Sequence, residues 1–385
     1  MLKSHIPQLL IRPILFRLDR ARGYVSAFTK PLTVTYSLTA ECQSNCKTCN
    51  IGRKYRQNPK RMEKDLTLDE IEEIFKSVGK IYFFNVSGGE PFLRKDLPRV
   101  IQLACKYLRP GIIHIPTNAI ASEAIRDLTR ECLEAVNVYD PKTPFTVKPS
   151  IDGVGEIHDI IRGVKGNFKR LEKTIGYLKE LERVYPNFHL ELGTVISRFN
   201  VNYLPEIEDY VHSVGVQSYR NEIAENRTEF FNLEDDIAPD ADTYERLIRG
   251  FSSKILDNIS RKRSLTRLTE AFRLTYYDLA VKILRDKRQV IPCYAGISNI
   301  HINYDGEVWP CCVLGYSMPM GSLREKAYDF NKIWHSDQAN QVRKYIRDGN
   351  CACPLANQAY FNILCSITYI TKVLGNAAQL ILKRK

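Results

Sequence analysis

Short apolar runs and amphipathic stretches alternate along most of this chain. Five β-rich runs stand out, at Thr33–Thr39, Ile81–Val86, Ile112–Pro116, Thr146–Ile151 and His189–Ile196. Between them, apolar residues recur at helical spacing over Thr67–Val78, Leu97–Tyr107 and Asn167–Glu182. Thr67 followed by Glu70 has the form of a capping box at the start of the first helix. This repetition predicts βαβ units and a parallel sheet, with five or six units between residues 33 and 230. An open sheet and a barrel satisfy the periodicity equally. Both put chemistry in the loops after the C-terminal ends of the strands.

The flanks read differently. Residues 1–32 form a basic amphipathic arm, with Ile6, Leu10, Ile14 and Leu18 at helical spacing and Arg12, Arg17, Arg20 and Arg22 among or just beyond them. Residues 33–230 make the α/β core, and 231–290 a helical, charged connecting region. In 291–362, cysteines, Gly306, Pro310 and two strand-like pieces (Asn299–Asn303 and Val308–Val313) predict a small metal-organised domain. Residues 363–385 read as an amphipathic helix ending in Lys383, Arg384 and Lys385.

With 44% hydrophobic and 26% charged residues in 385, the chain is not a disordered one. A net charge of +12 suits an anionic partner or simply a basic enzyme. No run of five or more Lys/Arg occurs, so no polybasic segment is visible and no nucleic-acid partner is expected. Pro7, Arg12, Pro13 and Arg17 interrupt any signal-peptide core, and no stretch of 18 uninterrupted apolar residues is present. A cytoplasmic setting follows. The arm and tail suit contact with the inner membrane face, and equally suit packing onto the core.

Eleven cysteines sharpen the picture, because three lie within Cys42–Cys49 and five between Cys293 and Cys353. Cys42-x3-Cys46-x2-Cys49 directly follows the first predicted strand. Three thiolates in eight residues can hold one face of a [4Fe–4S] cube and leave the fourth iron without a protein ligand. A structural zinc site would want a fourth local Cys or His, and the loop has none. Gly88-Gly89-Glu90-Pro91 follows the second strand, where paired glycines allow close backbone approach and a carboxylate can accept hydrogen bonds from an ammonium group.

In these two motifs the chain resembles the radical S-adenosylmethionine (SAM) superfamily. Thr48, where members often carry an aromatic residue, is a departure that removes no ligand. Thr117-Asn118 ends the third strand, as in many members. Ser150-Ile151-Asp152-Gly153, His158-Asp159 and Arg162-Gly163 then resemble a pattern of the branch with C-terminal cluster domains. The resemblance implies a partial (β/α)6 TIM-like barrel with a small C-terminal metal-cluster domain. It implies that Gly88, Gly89, Glu90 and Pro91 hold the SAM amino group, and that Ser150 and Arg162 contact its carboxylate. Asn118 and Asp152 lie beside the cofactor and substrate, and Ile196 lies against adenine. His158 and Asp159 also suit a helix-cap pair. Glu222 and Glu225, after a sixth strand, suit either cavity or solvent.

Cys293 followed by Gly306-x4-Cys311 resembles the opening of SPASM and twitch domains. The cysteine count favours one auxiliary [4Fe–4S] cluster, held by Cys293, Cys311, Cys351 and Cys353, with Cys312 and Cys365 as rivals and a zinc site on the same thiolates as the alternative. Cys105 and Cys132 fall in helical patterns and read as core residues.

The implied activity is reductive cleavage of SAM to a 5′-deoxyadenosyl radical that abstracts a substrate hydrogen, with electrons from an external donor such as flavodoxin or ferredoxin. Only 32 residues precede the first strand, which favours a small-molecule or lipid-linked substrate over a ribosomally made peptide. A peptide-modifying maturase and a non-catalytic iron–sulfur or zinc scaffold are the alternatives.

Overall fold

The computed structural model describes residues 2–258 and 264–382. One sheet contains β1 (Thr33–Ser37), β2 (Phe83–Ser87), β3 (Ile112–Thr117), β4 (Phe145–Pro149), β5 (Phe188–Ile196), β6 (Ser218–Ile223), β7 (Asn299–Ile302), β8 (Glu307–Trp309) and β9 (Gly321–Ser322). The spatial order is β6-β5-β4-β3-β2-β1-β7-β8-β9. Pairing is parallel from β6 across to β7 and antiparallel at β7–β8 and β8–β9. The sheet does not close. It is a partial barrel whose β1 edge continues into the C-terminal hairpin.

Parallel strands covered by helices on both faces usually read as continuous apolar runs. Here they alternate, because one face encloses a cavity. Val34, Tyr36, Phe84, Val86, Ile113, Ile115 and Val147 are buried on the outer face. Thr35, Asn85, His114, Lys148, Arg220, Glu222 and His301 line the inner one.

Local signals act as their chemistry predicts. Thr67 Oγ1 accepts from the Glu70 amide at 3.3 Å, and Glu70 returns a carboxylate oxygen to the Thr67 amide at 2.8 Å. Cys105 and Cys132 are buried among the core helices. Strand β8 stops short of the predicted Val313, because Pro310 has no amide to donate.

The arm is a helix, Leu2–Arg22, but with a different inner face from the one its periodicity suggests. Phe16 and Asp19 are buried, Arg17 donates to the carbonyl of Cys365, and Arg20 donates to that of Cys293 at 3.1 Å. Ile14 and Leu18 point outward; the side chains of Ile6 and Leu10 lie outside the described residues. The connecting region holds helices Ala241–Asn258 and Ser264–Asp286, with residues 231–240 irregular. The helix predicted from residue 363 instead begins as the end of Ala356–Cys365 and restarts as Ile367–Leu382, because the Ser366 hydroxyl accepts from the Tyr369 amide and starts a new helix. Its terminal Lys383–Lys385 lies outside the described residues. Among the described residues no helix is long and apolar enough to cross a membrane.

Candidate active site

Beyond β1 the chain runs without regular structure to residue 50, carrying Cys42, Cys46 and Cys49 along the wall of a cavity of about 260 Å³. Gly88, Gly89, Glu90, Pro91, Asn118, Ser150 and Arg162 line the same cavity. The loop is held by its backbone. The Gly89 amide donates to Thr39 O at 2.9 Å, Glu90 to Glu41 O at 2.7 Å, and Asn45 to Arg162 O at 3.1 Å. A Cβ on Gly89 would sit 1.9 Å from Glu41 O, and one on Gly163, at φ +64°, would sit 2.1 Å from Asn45 O. Both glycines therefore admit the cysteine loop itself, whereas for Gly89 the sequence suggested approach to a ligand.

Glu90 is buried, and its carboxylate accepts from Thr117 Oγ1 at 2.8 Å and from the Asn118 amide at 2.7 Å. Burial pushes its carboxyl up to about 7, against those hydrogen bonds. The side chain of Asn118 donates to Gln43 of the cysteine loop at 3.2 Å. Arg162 pairs with Asp152 at 3.1 Å, while its Nε is buried with no partner among the described residues.

Two expected contacts stand elsewhere. Asp152 lies behind Arg162, accepting from the Val195 amide at 2.9 Å, and does not line the cavity. Strand alternation turns Ile196 into the apolar layer, and Val195 faces the cavity in its place. His158 and Asp159 act as local caps: His158 Nδ1 accepts from the Asp152 amide, and Asp159 from the Phe168 amide at 2.7 Å. Because Asp152 neutralises a buried guanidinium, Asp152→Ala should lower stability by about 3–5 kcal/mol. Chemical denaturation of the metal-free protein measures this, and a loss below about 1 kcal/mol would mean that water solvates Arg162.

In the C-terminal domain, Cys293, Cys311, Cys351 and Cys353 form one group. Burial raises every one of these thiols, and mutual repulsion raises Cys311, Cys351 and Cys353 further. Cys312 turns instead to Arg227 and the cavity, and Cys365 lies beside Arg17 and Tyr294. Among the described residues no three Cys, His, Asp or Glu side chains converge on a single-ion site. In a cube each thiolate binds a different iron at a separate corner, so both cysteine sets suit a cluster by donor chemistry. Burial pushes Cys42 up to about 12, with Cys46 and Glu90 adding repulsion, and iron ligation would relieve that cost. The unpartnered Arg162 Nε on the cavity wall suits a carboxylate.

Apart from Glu222, sequence reading missed the rest of the wall. Lys148 lies 3.6 Å from Glu222, Arg220 pairs with Glu191 at 2.8 Å, and His114 Nδ1 is 2.7 Å from Asn85. Glu222 lies within β6 and faces the cavity; Glu225 is buried beside Arg227. Leu355, Asn357 and Gln358 border the cavity from the C-terminal side. The available signal was the period-two placement of charge inside otherwise apolar strands.

Comparisons with known proteins bear on the fold and on the two cysteine-bearing segments. Residues 36–190 match the Radical SAM superfamily, and residues 293–354 match SPASM, an iron–sulfur cluster-binding domain. The antilisterial bacteriocin subtilosin biosynthesis protein AlbA of Bacillus subtilis is 23% identical over 84% of this chain and 66% of its own length. The PqqA peptide cyclase of Bradyrhizobium diazoefficiens is 28% identical over 54% of this chain and 50% of its own. A probable GTP 3′,8-cyclase of Methanococcus maripaludis is 28% identical over 71% and 83%. Among solved structures, Streptococcus suis SuiB bound to S-adenosylmethionine superposes with a TM-score of 0.59 at 15% identity, over 86% of this chain and 71% of SuiB. The chain thus spans about two thirds and one half of its first two curated relatives.

Proposed function

Because residues 36–190 match the Radical SAM superfamily and residues 293–354 match a SPASM domain, we propose that the protein cleaves S-adenosylmethionine reductively and directs the resulting radical at a peptide. The observation that carries this reading is one cavity lined by Cys42, Cys46 and Cys49, by Gly88–Pro91 and Arg162, and by Cys311 of the second thiol group. When bound, a core [4Fe–4S] cluster with SAM supplies a 5′-deoxyadenosyl radical able to take a hydrogen atom. Cys42, Cys46 and Cys49 hold that cluster. Glu90 accepts from the SAM amino group, Ser150 and Arg162 receive its carboxylate, and Val195 lines the adenosyl side. Cys293, Cys311, Cys351 and Cys353 hold one auxiliary cluster, as an electron acceptor or substrate anchor.

The peptide takes the place of the small or lipid-linked metabolite expected from the short arm. PqqA peptide cyclase and SuiB, also solved with precursor peptide SuiA, support that change, and the charged wall of Lys148, Arg220, Glu222 and Arg227 offers partners for peptide groups. The GTP cyclase likeness supports the metabolite as the second reading. Incubation with SAM, dithionite and short peptides encoded beside its gene should give a peptide mass change matched by 5′-deoxyadenosine. Radical formation without any altered peptide, quenched by a nucleotide or lipid-linked metabolite, would overturn the peptide assignment.

An ammonium group pairs with the carboxylate form of Glu90. Below its value of about 7, binding must first remove a proton. SAM affinity should therefore rise as pH increases from 6 to 8, and Glu90→Gln should bind more weakly with a flat profile. Calorimetry across that range decides it, and a flat wild-type profile would remove Glu90 from the amino site.

The outward Ile11, Ile14 and Leu18 support a peripheral membrane contact by the arm. Anionic vesicles should co-sediment the chain at low salt and release an Ile14→Glu/Leu18→Glu variant. Equal sedimentation of the two would assign those residues to another role.

A further inference from the structure

Seven basic residues fall between positions 47 and 64, namely Lys47, Arg53, Lys54, Arg56, Lys60, Arg61 and Lys64, against one acidic residue, Glu63. They are not a contiguous run. The fold gathers them on helix Ile51–Gln57 and the 3-10 turn Pro59–Lys64 that follow Cys49. All but Arg61 are exposed, and among the described residues none of the seven forms an ion pair. Elsewhere on the surface, exposed cations such as Lys76, Lys173 and Arg249 have carboxylate partners. Glu63 within the stretch and Glu307 near Lys64 offset only part of the positive charge of this patch.

Its position singles it out. Gly52 sits so close to the cysteine loop that a Cβ there would lie 1.9 Å from Ser44 O. Arg56 donates to Ser44 O at 3.1 Å and to Asn45 Oδ1 at 2.7 Å. Asn45 and Lys47 face solvent, while Cys42, Cys46 and Cys49 face the cavity. At Gly52 and Arg56 the patch therefore lies directly against the loop backbone that carries the three thiols. An aromatic centre completes it: the Arg61 guanidinium lies 5.0 Å from the Phe231 ring centroid, and Phe231 stacks on Tyr316 at 5.2 Å.

We infer that residues 47–64 are the docking surface for an acidic one-electron carrier protein that reduces the core cluster through the cysteine loop. This rests on the radical SAM reading. One electron leaves the reduced carrier and enters the [4Fe–4S] cluster, and the carrier departs one electron oxidised. No proton or group moves. Net charge of one sign accelerates encounter with an oppositely charged partner, and the thin loop keeps the transfer distance short.

The test uses the full chain with its clusters reconstituted, with an acidic flavodoxin as the probe carrier. An Arg53→Glu/Lys54→Glu/Lys60→Glu variant leaves Arg56 and the loop untouched. Its flavodoxin dissociation constant by calorimetry should rise by about tenfold or more, and its flavodoxin-driven cluster reduction by stopped flow should slow by a similar factor. The corresponding Gln variant should fall between it and the parent, and the parent's affinity should weaken with salt more steeply than the variant's. SAM cleavage driven by dithionite should stay within about twofold, because a small reductant needs no charge-matched surface. Unchanged flavodoxin binding and reduction in the Glu variant would overturn the proposal. So would an equal loss with dithionite, which would place the defect in the loop. Loss of anionic-vesicle binding with flavodoxin binding intact would assign the patch to a membrane instead. If the parent makes no 5′-deoxyadenosine with dithionite, the radical reading fails, while calorimetric binding still judges the docking surface.

Discussion

Replacing Cys42, Cys46 and Cys49 together by alanine should abolish 5′-deoxyadenosine formation and remove about four of about eight irons from the anaerobically reconstituted protein. The three thiols come from one loop and face one cavity, so their loss removes every protein ligand on that side. The four irons left should sit in the C-terminal group, where Cys293, Cys311, Cys351 and Cys353 would provide full ligation. A cluster without an open iron should not change its paramagnetic resonance spectrum when SAM is added, whereas the core cluster should. The effect is expected to be local, because the loop's backbone contacts do not involve the sulfurs. Continued SAM cleavage by the triple variant would end the assignment. Zinc without iron in its C-terminal domain would make that domain structural and remove its electron-acceptor role.

Gly89→Val should cost SAM affinity on the order of a hundredfold, since displacing a positioning group by about an ångström has effects of that size. The obstacle is backbone rather than a flexible side chain: Glu41 O lies 1.9 Å, and Glu41 C 2.5 Å, from the position of the new Cβ. Relief requires the loop to move away from β2. That motion breaks the 2.7 Å bond from the Glu90 amide to Glu41 O and shifts Cys42 with it. Iron content should fall along with affinity, which separates this cause from a clash with SAM alone. Gly176 is the control. It lies inside helix Asn167–Val184 with open space at its Cβ position, so Gly176→Ala should stabilise by about 0.5–1 kcal/mol and leave binding unchanged. Calorimetry and iron analysis on the two variants check both statements. Wild-type affinity in Gly89→Val would mean that the loop can yield without disturbing the site.

Residue spacing by itself determined whatever is settled within a few positions along the chain. The Thr67–Glu70 cap follows from contacts between near neighbours, which any chain with that spacing can make, whereas the Cys42-x3-Cys46-x2-Cys49 spacing named candidate ligands and left the loop's path to distant contacts with Gly89, Glu90 and Arg162. The alternation of strands and helices likewise determined a parallel sheet, because a helical crossover is the short way to return a chain to the same edge. Tertiary structure decided which members of close pairs face the chemistry. Val195 and not Ile196 lines the cavity because strand parity is set by the register of β5 against β4 and β6, fixed by residues far away in sequence. Cys311 joins Cys293, Cys351 and Cys353 while Cys312 turns to Arg227, a division that depends on segments 40 residues downstream arriving on one side of the hairpin. The arm's inner face was likewise chosen by its partners, the carbonyls of Cys293 and Cys365, and its own periodicity pointed the other way. Adjacent residues differ by one bond in sequence but by half a turn in direction. Only the long-range packing that costs chain entropy to assemble can choose between them.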